Sequence, residues 1–456
     1  MIENYGILTL LPAALVIALA IMTKRTTEPL LVGCIVSYVI IYGWNFLQPL
    51  VDCLFSVITD YDNAWLILVC GLFGSLIALL NASRGTHTIA NLIGKVCKTG
   101  KSTLLMSWIL GIIIFIDDYM NIMTISSCMQ KNSDENKVPR EALAYVIDST
   151  GAPACVILPF STWAIFYAGA FYEQSAVQAL GYGNAMSTYV HTVPFMFYAI
   201  VALAIVPMFI CGLIPQVGAM KQAYQRAEKT GQVYSADSAQ YNQEETAASE
   251  NKSAHVIDFV IPMLLLIVVT VWLDDILLAI LAAIVACIVL YIPRKLVSMQ
   301  EFCELWIKGF ADMVPSLVII VAALMMRQAS NDLNLPDYVV KLVMPYIGRH
   351  SFPAVAFLVV SILAFITGSN WGIPAVCAPI IIPLGSAVGA NLLLVMAAIV
   401  SGGVFSSHAC FYSDATVMTS SSCKIENMEH VVTQMPYALL ALGISFFAYL
   451  VCGCLI

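Results

Sequence analysis

Charge is what this sequence has least of. Only 11% of its residues are Asp, Glu, Lys or Arg, where a water-soluble domain carries about 25%. With 60% hydrophobic residues over 456 positions, that scarcity excludes an ordinary globular enzyme and predicts an all-α polytopic membrane protein. Basic surface is lacking too. The 20 Lys and Arg against 28 Asp and Glu give a net charge of −8, so no face suits a phosphate backbone and no nucleic acid is expected. Of the 14 cysteines, none forms a Cys-x-x-Cys pair. Most stand singly in apolar runs (Cys34, Cys70, Cys155, Cys211, Cys287, Cys377) and read as small apolar side chains. A phosphate-binding loop is missing: Gly100-Lys101-Ser102 looks like the end of one, but Lys95 stands where glycine is required. The Gly-x-Gly-Asp string of an intramembrane aspartyl protease is missing as well, since Gly181-Tyr182-Gly183-Asn184 has no acid. Neither ATP-driven transport nor enzymatic chemistry is expected.

What is present is a succession of apolar runs, near 6–22, 30–47, 64–81, 104–123, 142–170, 189–211, 256–273, 276–292, 313–329, 352–368, 374–400 and 431–455. They predict about 10–13 transmembrane segments. Short pieces at 86–98, 300–311 and 338–347 suit surface or re-entrant helices. The runs are too continuous for a membrane β-barrel. Lys24-Arg25 follows the first run instead of preceding it, so that helix reads as retained, with its N-terminus outside. One stretch has no membrane character. Residues 215–254, rich in Gln, Glu, Ala and Ser, read as a cytoplasmic linker, part helical, between a first half (1–214) and a second half (255–456).

Within the apolar run 104–123 lies Phe-Ile-Asp117-Asp118-Tyr-Met-Asn121. One carboxylate in the middle of a spanning helix costs roughly 2.5–3.5 kcal/mol on insertion scales, and two neighbours about double that. Such a pair persists where water, a cation or a proton reaches it. Basic loops on both sides, 84–101 and 131–140, both read as cytoplasmic, yet one straight helix would separate them. A chain that enters, turns near 117–121 and returns reconciles the charges; a straight helix that breaks the charge rule is the other reading.

Three more polar interruptions follow: Asp148-Ser149-Thr150-Gly151-Ala-Pro153, running on to Ser161-Thr162-Trp163; Thr367-Gly368-Ser369-Asn370-Trp371-Gly372-Ile-Pro374; and Ser406-Ser407-His408, running on to Ser413-Asp414-Ala-Thr416. Their order matches between the halves, with sites at 104–163 and 361–422. Paired broken segments mark a transporter site. Pro153 and Pro374 lack an N–H and would free the carbonyls of Ser149 and Asn370. If helical, Asp117, Asn121 and Thr124 share one face, so Asp117 and Asn121 would meet the ligand, while Asp118 orients backbone or binds a proton. Duller readings stand beside these. Asp148 can cap a helix, the Ser and Thr side chains can bond their own backbone, His408 can be a satisfied interior residue, Trp163 and Trp371 can be packing, and Arg327 can reach for the surface or for a substrate carboxylate.

These strings resemble the NhaC family of sodium/proton antiporters. The resemblance is carried by residues 115–121, 140–153, Ser161-Thr162-Trp163, Ser413-Asp414-Ala-Thr416 and the tail His-Val-Val-Thr-Gln-Met-Pro-Tyr-Ala-Leu at 430–439. It implies two inverted repeats with broken helices and re-entrant hairpins, an elevator-like motion, and a multi-pass carrier of the bacterial inner membrane driven by ion gradients. The second half departs from the family pattern. Ser407 stands where the family has an acid, and Phe411 where it has a proline. Losing a carboxylate leaves room for a neutral or zwitterionic substrate.

The expected function is therefore secondary active Na+/H+ antiport, with Na+- or H+-coupled transport of an amino acid or organic acid as the alternative. Na+ would sit at Asp117, Asn121, Asp148 and Asn370. Ser149, Thr150, Ser161, Thr162, Trp163, Thr367, Gly368, Ser369, His408, Ser413, Asp414 and Thr416 complete the site, with Asp118 beside them. No cofactor beyond the coupling ion is expected. Partners are membrane lipid, an inorganic cation and a small organic substrate, on a scaffold that can also form a homodimer.

Overall fold

A computed structural model describes residues 5–23, 25–83, 95–159, 161–242, 255–273, 275–343 and 347–456. Among them every regular element is helical. The first half begins with α1 (Leu11–Thr23), α2 (Thr27–Tyr42), α3 (Leu47–Thr59) and α4 (Tyr61–Ala82). It continues with α5 (Gly100–Ile113), α6 (Asp118–Glu135), α7 (Arg140–Ile157), α8 (Thr162–Tyr172), α9 (Ala185–Thr192) and α10 (Phe197–Cys211). A linker helix, α11 (Gly218–Thr230), leads to α12 (Ile257–Leu273), α13 (Ile276–Tyr291), α14 (Met299–Asp332) and α15 (Leu335–Val343). The second half ends with α16 (Phe352–Thr367), α17 (Gly372–Ala387), α18 (Leu392–Ala409), α19 (Asp414–Ser422) and α20 (Asn427–Leu455).

Among the described residues five helices are long and apolar enough to cross a bilayer, and seven if the two bent pairs, α7 with α8 at 47° and the segment 185–195 with α10 at 53°, each count as one. Apolar helices of 10–17 residues stand beside them. The expected surface piece 300–311 is instead the opening of α14, a 34-residue helix that starts on a Ser298–Glu301 capping box and runs through Pro315. At about 1.5 Å per residue it is some 51 Å long. It lies against α4 backbone to backbone: a Cβ on Gly309 would meet Ser75 Cα at 2.6 Å, and Ser75 donates to the Trp306 carbonyl at 2.8 Å. Small residues at such a crossing let membrane helices pack closely. Parts of the pieces 86–98 and 338–347, Asp274 and the linker end 243–254 fall outside the described residues.

The turn-and-return reading of 104–129 holds. Asn136, just past the end of α6, donates to Cys97 O at 3.1 Å and to Thr103 Oγ1 at 3.2 Å at the start of α5, so α5 and α6 run antiparallel with their tip at 114–117. α16 and α17 make a second hairpin. Its tip is turned by Gly368 at φ +64°, and a Cβ there would also strike the Tyr412 ring.

The helix breaks lie elsewhere than the prolines suggested. α7 runs unbroken through Asp148, Gly151 and Pro153, the chain leaves helical geometry at Leu158, and α8 begins at Thr162. That places Asp148 in mid-helix, so it caps nothing. Pro374 sits in the first turn of α17, where an amide would lack a partner anyway.

The two halves repeat each other at a spacing of 252 residues. Ser161 donates to Cys155 O at 2.5 Å, and Ser413, 252 positions on, donates to Ser407 O, also 252 positions on. Asp117 accepts from the Met120 amide at 3.0 Å, and Ser369 from the Gly372 amide at 3.1 Å, again 252 positions on. The two glycines that let the hairpins close on the broken helices match as well. A Cβ on Gly151 would meet Asn121 Oδ1 at 3.5 Å, and one on Gly403 would meet Asn370 O at 2.6 Å.

The linker is docked across the ends of both halves. Arg226 of α11 makes a forked pair with Glu141 at 2.7 and 2.9 Å. Ser235 and Ser238 each donate to Glu429 Oε2 at 2.7 Å. Asn242 donates to Lys424 O at 2.8 Å.

Candidate functional site

Each hairpin tip meets the break that follows it. At the first, Thr162 donates its amide to Ile116 O at 2.9 Å and its hydroxyl to Asp117 Oδ2 at 3.3 Å. At the second, Asn370 Nδ2 donates to Asp414 Oδ1 at 3.0 Å and lies 3.4 Å from Ser407 Oγ, while Tyr412 donates to Ile366 O. The two junctions also bond to each other. Tyr119, beside the aspartate pair, donates to Asp414 Oδ2 at 2.6 Å, and Tyr167 of α8 donates to Asn370 O at 3.0 Å. Trp163 and Trp371 pack with ring centres 4.6 Å apart. All four polar interruptions therefore converge on one buried region.

The roles inside it differ from the expected ones. Asp117 is the N-cap of α6, with extended backbone and its Oδ1 on the Met120 amide. Asn121 braces the tip, donating to Gly111 O at 2.6 Å and Ile114 O at 2.7 Å, and its Oδ1 stays unpartnered. Asp118 is the free carboxylate. It is fully buried, neither oxygen has a hydrogen-bond partner, and it lies within electrostatic reach of Asp117 and Asp414 and beside the Trp163 indole. An ionised carboxylate in such a place is costly without a counter-charge.

Asp148 keeps different company. Its Oδ2 faces His430 Nε2 at 3.0 Å, Gln434 Nε2 at 2.9 Å and Thr416 Oγ1 at 3.4 Å. Thr416 also donates to Ser407 O at 2.9 Å. His408 pairs with the Tyr198 hydroxyl at 2.8 Å and stacks on that ring, the satisfied interior histidine of the duller reading on that side; its Nδ1 has no partner. Thr150 and Thr367 bond back to their own helices at Val146 O and Leu363 O. Ser161 caps α8, and Ser149 Oγ is buried without a partner. Arg327 is bonded to Asn63 at 2.8 Å. A hollow of about 410 Å³ is lined by apolar side chains such as Leu31, Leu54 and Val318, with no titratable group in its lining.

Sequence reasoning missed Tyr119, Tyr167, Tyr198, His430 and Gln434. The signal for the last two was their i, i+4 spacing on one face of an otherwise apolar helix.

Apolar helices enclosing a buried polar junction of hairpin tips and helix breaks define a multi-pass membrane protein of the transporter class. The chain belongs to the Na+/H+ antiporter family, which it matches over residues 154–454. It is 26% identical over 481 residues to an uncharacterized protein of Haemophilus influenzae, covering 98% of this chain and 90% of that one. It is 30% identical over 102 residues to the malate-2H+/Na+-lactate antiporter of Bacillus subtilis, 22% of each chain. Among solved structures it is similar to the Alcanivorax borkumensis YdaH transporter, at 11% identity and a TM-score of 0.39 over 97% of this chain and 98% of that one. It is also similar to Neisseria gonorrhoeae MtrF, of a class of antimetabolite efflux pumps, at 16% identity and a TM-score of 0.37 over 90% and 84%. At those scores the structural likeness carries no argument.

Proposed function

We propose that the protein is a secondary active transporter of a bacterial cytoplasmic membrane that exchanges Na+ for H+. The observation that carries this reading is Asp118, buried with both oxygens unpartnered between two other carboxylates. A monovalent cation placed there gains the two oxygens of Asp118. Asp117 holds the tip of the hairpin in shape and adds negative field. Asp414, tied to Tyr119 and Asn370, lets the second half sense whether the site is filled. With no occupant the junction carries more negative charge than the one guanidinium within reach of Asp414, that of Arg327, offsets, so opening toward either side is favoured until a cation or protons bind. Rocking of the hairpin and broken-helix core against the α4–α14 scaffold, and dimerisation through that scaffold, belong to the same proposal.

The test uses purified full-length protein in proteoliposomes with a luminal pH dye. An inward Na+ gradient should alkalinise the lumen, and preloaded Na+ should accelerate uptake of labelled Na+. Absence of both in active-site-intact protein ends the Na+ reading.

A second reading has its own support. The indole N–H groups of Trp163, which lies against Asp118, and of Trp371, which has no partner, are buried donors. A cation cannot use them, but a carboxylate can, and the relative from Bacillus subtilis is named for organic acids. If amino or carboxylic acids stabilise the purified protein and Na+ alone does not, coupled transport of an organic solute replaces ion exchange.

A further inference from the structure

Two matching seams lead away from the hairpin-tip junction, and they are lined differently. In the first, α6 and α19 run side by side toward the linker. Tyr119 donates to Asp414 Oδ2 at 2.6 Å where both helices begin, and Gln130 donates to Cys423 O at 3.3 Å where α19 ends. Tyr119, Ser126 and Ser133 stand seven residues apart, so they share the face of α6 that these bonds turn toward α19. On α19 three faces are taken: Thr416 bonds Asp148 of α7, Ser420 bonds Asn427 of α20, and Ser421 bonds Met313 of α14. Thr419 and Ser422 stand on the face that remains, the one toward α6. Ser126, Ser133 and Thr419 are fully buried. Yet Ser133 Oγ, Thr419 Oγ1 and Ser422 Oγ have no hydrogen-bond partner. They neither bond across the seam nor turn back on their own helices, as Thr150 and Thr367 do.

The 252-residue repeat makes the second seam from α17 and α8. There Thr419 corresponds to Tyr167, whose hydroxyl is spent on Asn370 O at 3.0 Å, and Ala415 to Trp163, packed on Trp371 at 4.6 Å. Ser126, Ser133 and Ser422 correspond to Ala378, Gly385 and Ala170. One seam is closed by rings, and the other is held shut over unbonded hydroxyls. The linker end of the hydroxyl seam is also covered. Asn242 accepts from Arg140, which holds Asp134 of α6 at 2.8 Å, and donates to Lys424 O, just past α19, at 2.8 Å. Ser235 and Ser238 fasten the same segment to Glu429.

We propose that the α6–α19 seam, closed in this structure, is the route by which a hydrated cation passes between the hairpin tips and the linker side of the membrane, and that segment 233–242 is the cover over its mouth. The proposal deepens the transport reading and rests on it.

Two physical arguments select a route over a structural crossing. Where hydroxyls serve only to join membrane helices, they bond across the interface, and these do not. An unpartnered buried hydroxyl is a cost in the closed form that water removes in the open one, so this seam parts against less resistance than its ring-packed counterpart. The lining also suits an ion in transit. A hydroxyl oxygen can replace one water in the shell of a cation but carries no charge to hold it, and a path must bind weakly enough to release. The acids stay at the junction end, where the ion is to be held.

Sided labelling of full-length protein in proteoliposomes tests this. The probe is a membrane-impermeant methanethiosulfonate carrying a trimethylammonium group, and peptide mass locates each labelled residue among the native cysteines. Thr230→Cys, exposed on the linker, marks the side that the probe sees. Ser37→Cys, equally buried on α2 with its hydroxyl bonded to Gly33 O, sets the background. Ser126→Cys, Ser133→Cys and Thr419→Cys should each label from the linker side at least about tenfold faster than that background. Three positions report one seam, so a variant that fails to fold leaves the others to decide. Adding Asn242→Ala should speed the labelling about fivefold or more, the effect of losing one hydrogen bond of the cover. Thr419→Tyr, which copies Tyr167 of the ring-packed seam, should stop the labelling of Ser126→Cys and cut Na+ flux about tenfold or more, while the Na+-induced rise in melting temperature stays. Labelling at the background rate, or only from the side opposite the linker, overturns the route, and so does wild-type flux in Thr419→Tyr. An unchanged rate with Asn242→Ala overturns the cover. Labelling needs no transport: if the seam labels and wild type moves no Na+, the exchange reading fails and the route stands. If Na+ is exchanged and the seam stays unlabelled, the route fails alone.

Discussion

Replacing Asp118 by asparagine should separate function from stability in opposite directions. The substitution keeps the shape of a side chain that is fully buried and whose polar neighbours are the Trp163 indole N–H and its own amide, donors that the Oδ1 of asparagine can still accept from, so little packing or bonding is lost. What disappears is one negative charge. At about 4 Å from a bound cation, and with an effective dielectric near 20, that charge contributes about 4 kcal/mol, or roughly a thousandfold in affinity. The same charge, in the empty protein, is an uncompensated burden of roughly 2.5–3.5 kcal/mol on insertion scales. Asp118→Asn should therefore bind labelled Na+ too weakly to saturate, transport at background rates, and melt at a higher temperature than wild type in detergent without Na+. Added Na+ should raise the melting temperature of wild type and leave the variant unmoved. A variant that transports normally refutes the reasoning outright. One that is inactive but also melts lower shows Asp118 to be structural, with some partner that this geometry lacks.

Asp117→Asn, by contrast, retains a good helix cap and should fold normally, whereas Asp117→Ala should lose about 1 kcal/mol in denaturant or thermal unfolding. Gly403→Val pushes side-chain carbons into Asn370 O and the Tyr167 hydroxyl; an overpacking loss of about 1–3 kcal/mol should appear as a lower melting temperature and reduced uptake. Arg226→Gln leaves Glu141 buried at 1% side-chain exposure without its cation. A loss of about 3–5 kcal/mol is expected from breaking such a pair, and the double variant with Glu141→Gln should recover most of it. Tyr119→Phe removes one charge-assisted bond to Asp414 and should cost about 1.5–3 kcal/mol of coupling in a double-mutant cycle with Asp414→Asn.

The four polar interruptions could be read from the sequence because charge and hydroxyl groups inside apolar runs are conspicuous, and the hairpin could be read because two basic loops demanded the same side. The places where helices break could not. Pro153 pointed to a break within 148–153, but Thr150 bonds back to Val146 O and neighbouring helices enclose that turn, so the helix absorbs the missing N–H and continues. The true break, between α7 and α8, is stabilised by Ser161 and by the Thr162 contact to the first hairpin tip, residues distant in sequence. The division of labour between Asp117 and Asp118 was likewise hidden. Helical periodicity placed Asp117 on the ligand face, but a capping residue is not helical, and its side chain is turned to its own helix start. Tyrosines such as Tyr119 and Tyr167 look like packing in any apolar run; only the fold brings their hydroxyls onto Asp414 and the Asn370 carbonyl.

The 252-residue repeat has one more implication. Carried across it, Asp118 corresponds to Asn370 and Thr162 to Asp414. At these matching positions one residue of each pair is acidic and the other neutral, but the assignment is reversed: acid on the tip in the first half, acid on the break in the second. Such mirror-image bookkeeping is what a duplicated ancestor leaves when its copies drift under a constraint on the total number of acids and not on their addresses. Exchanging the residues at the matching positions, through Asp118→Asn with Asn370→Asp and Thr162→Asp with Asp414→Thr, would therefore swap the two arrangements between the halves.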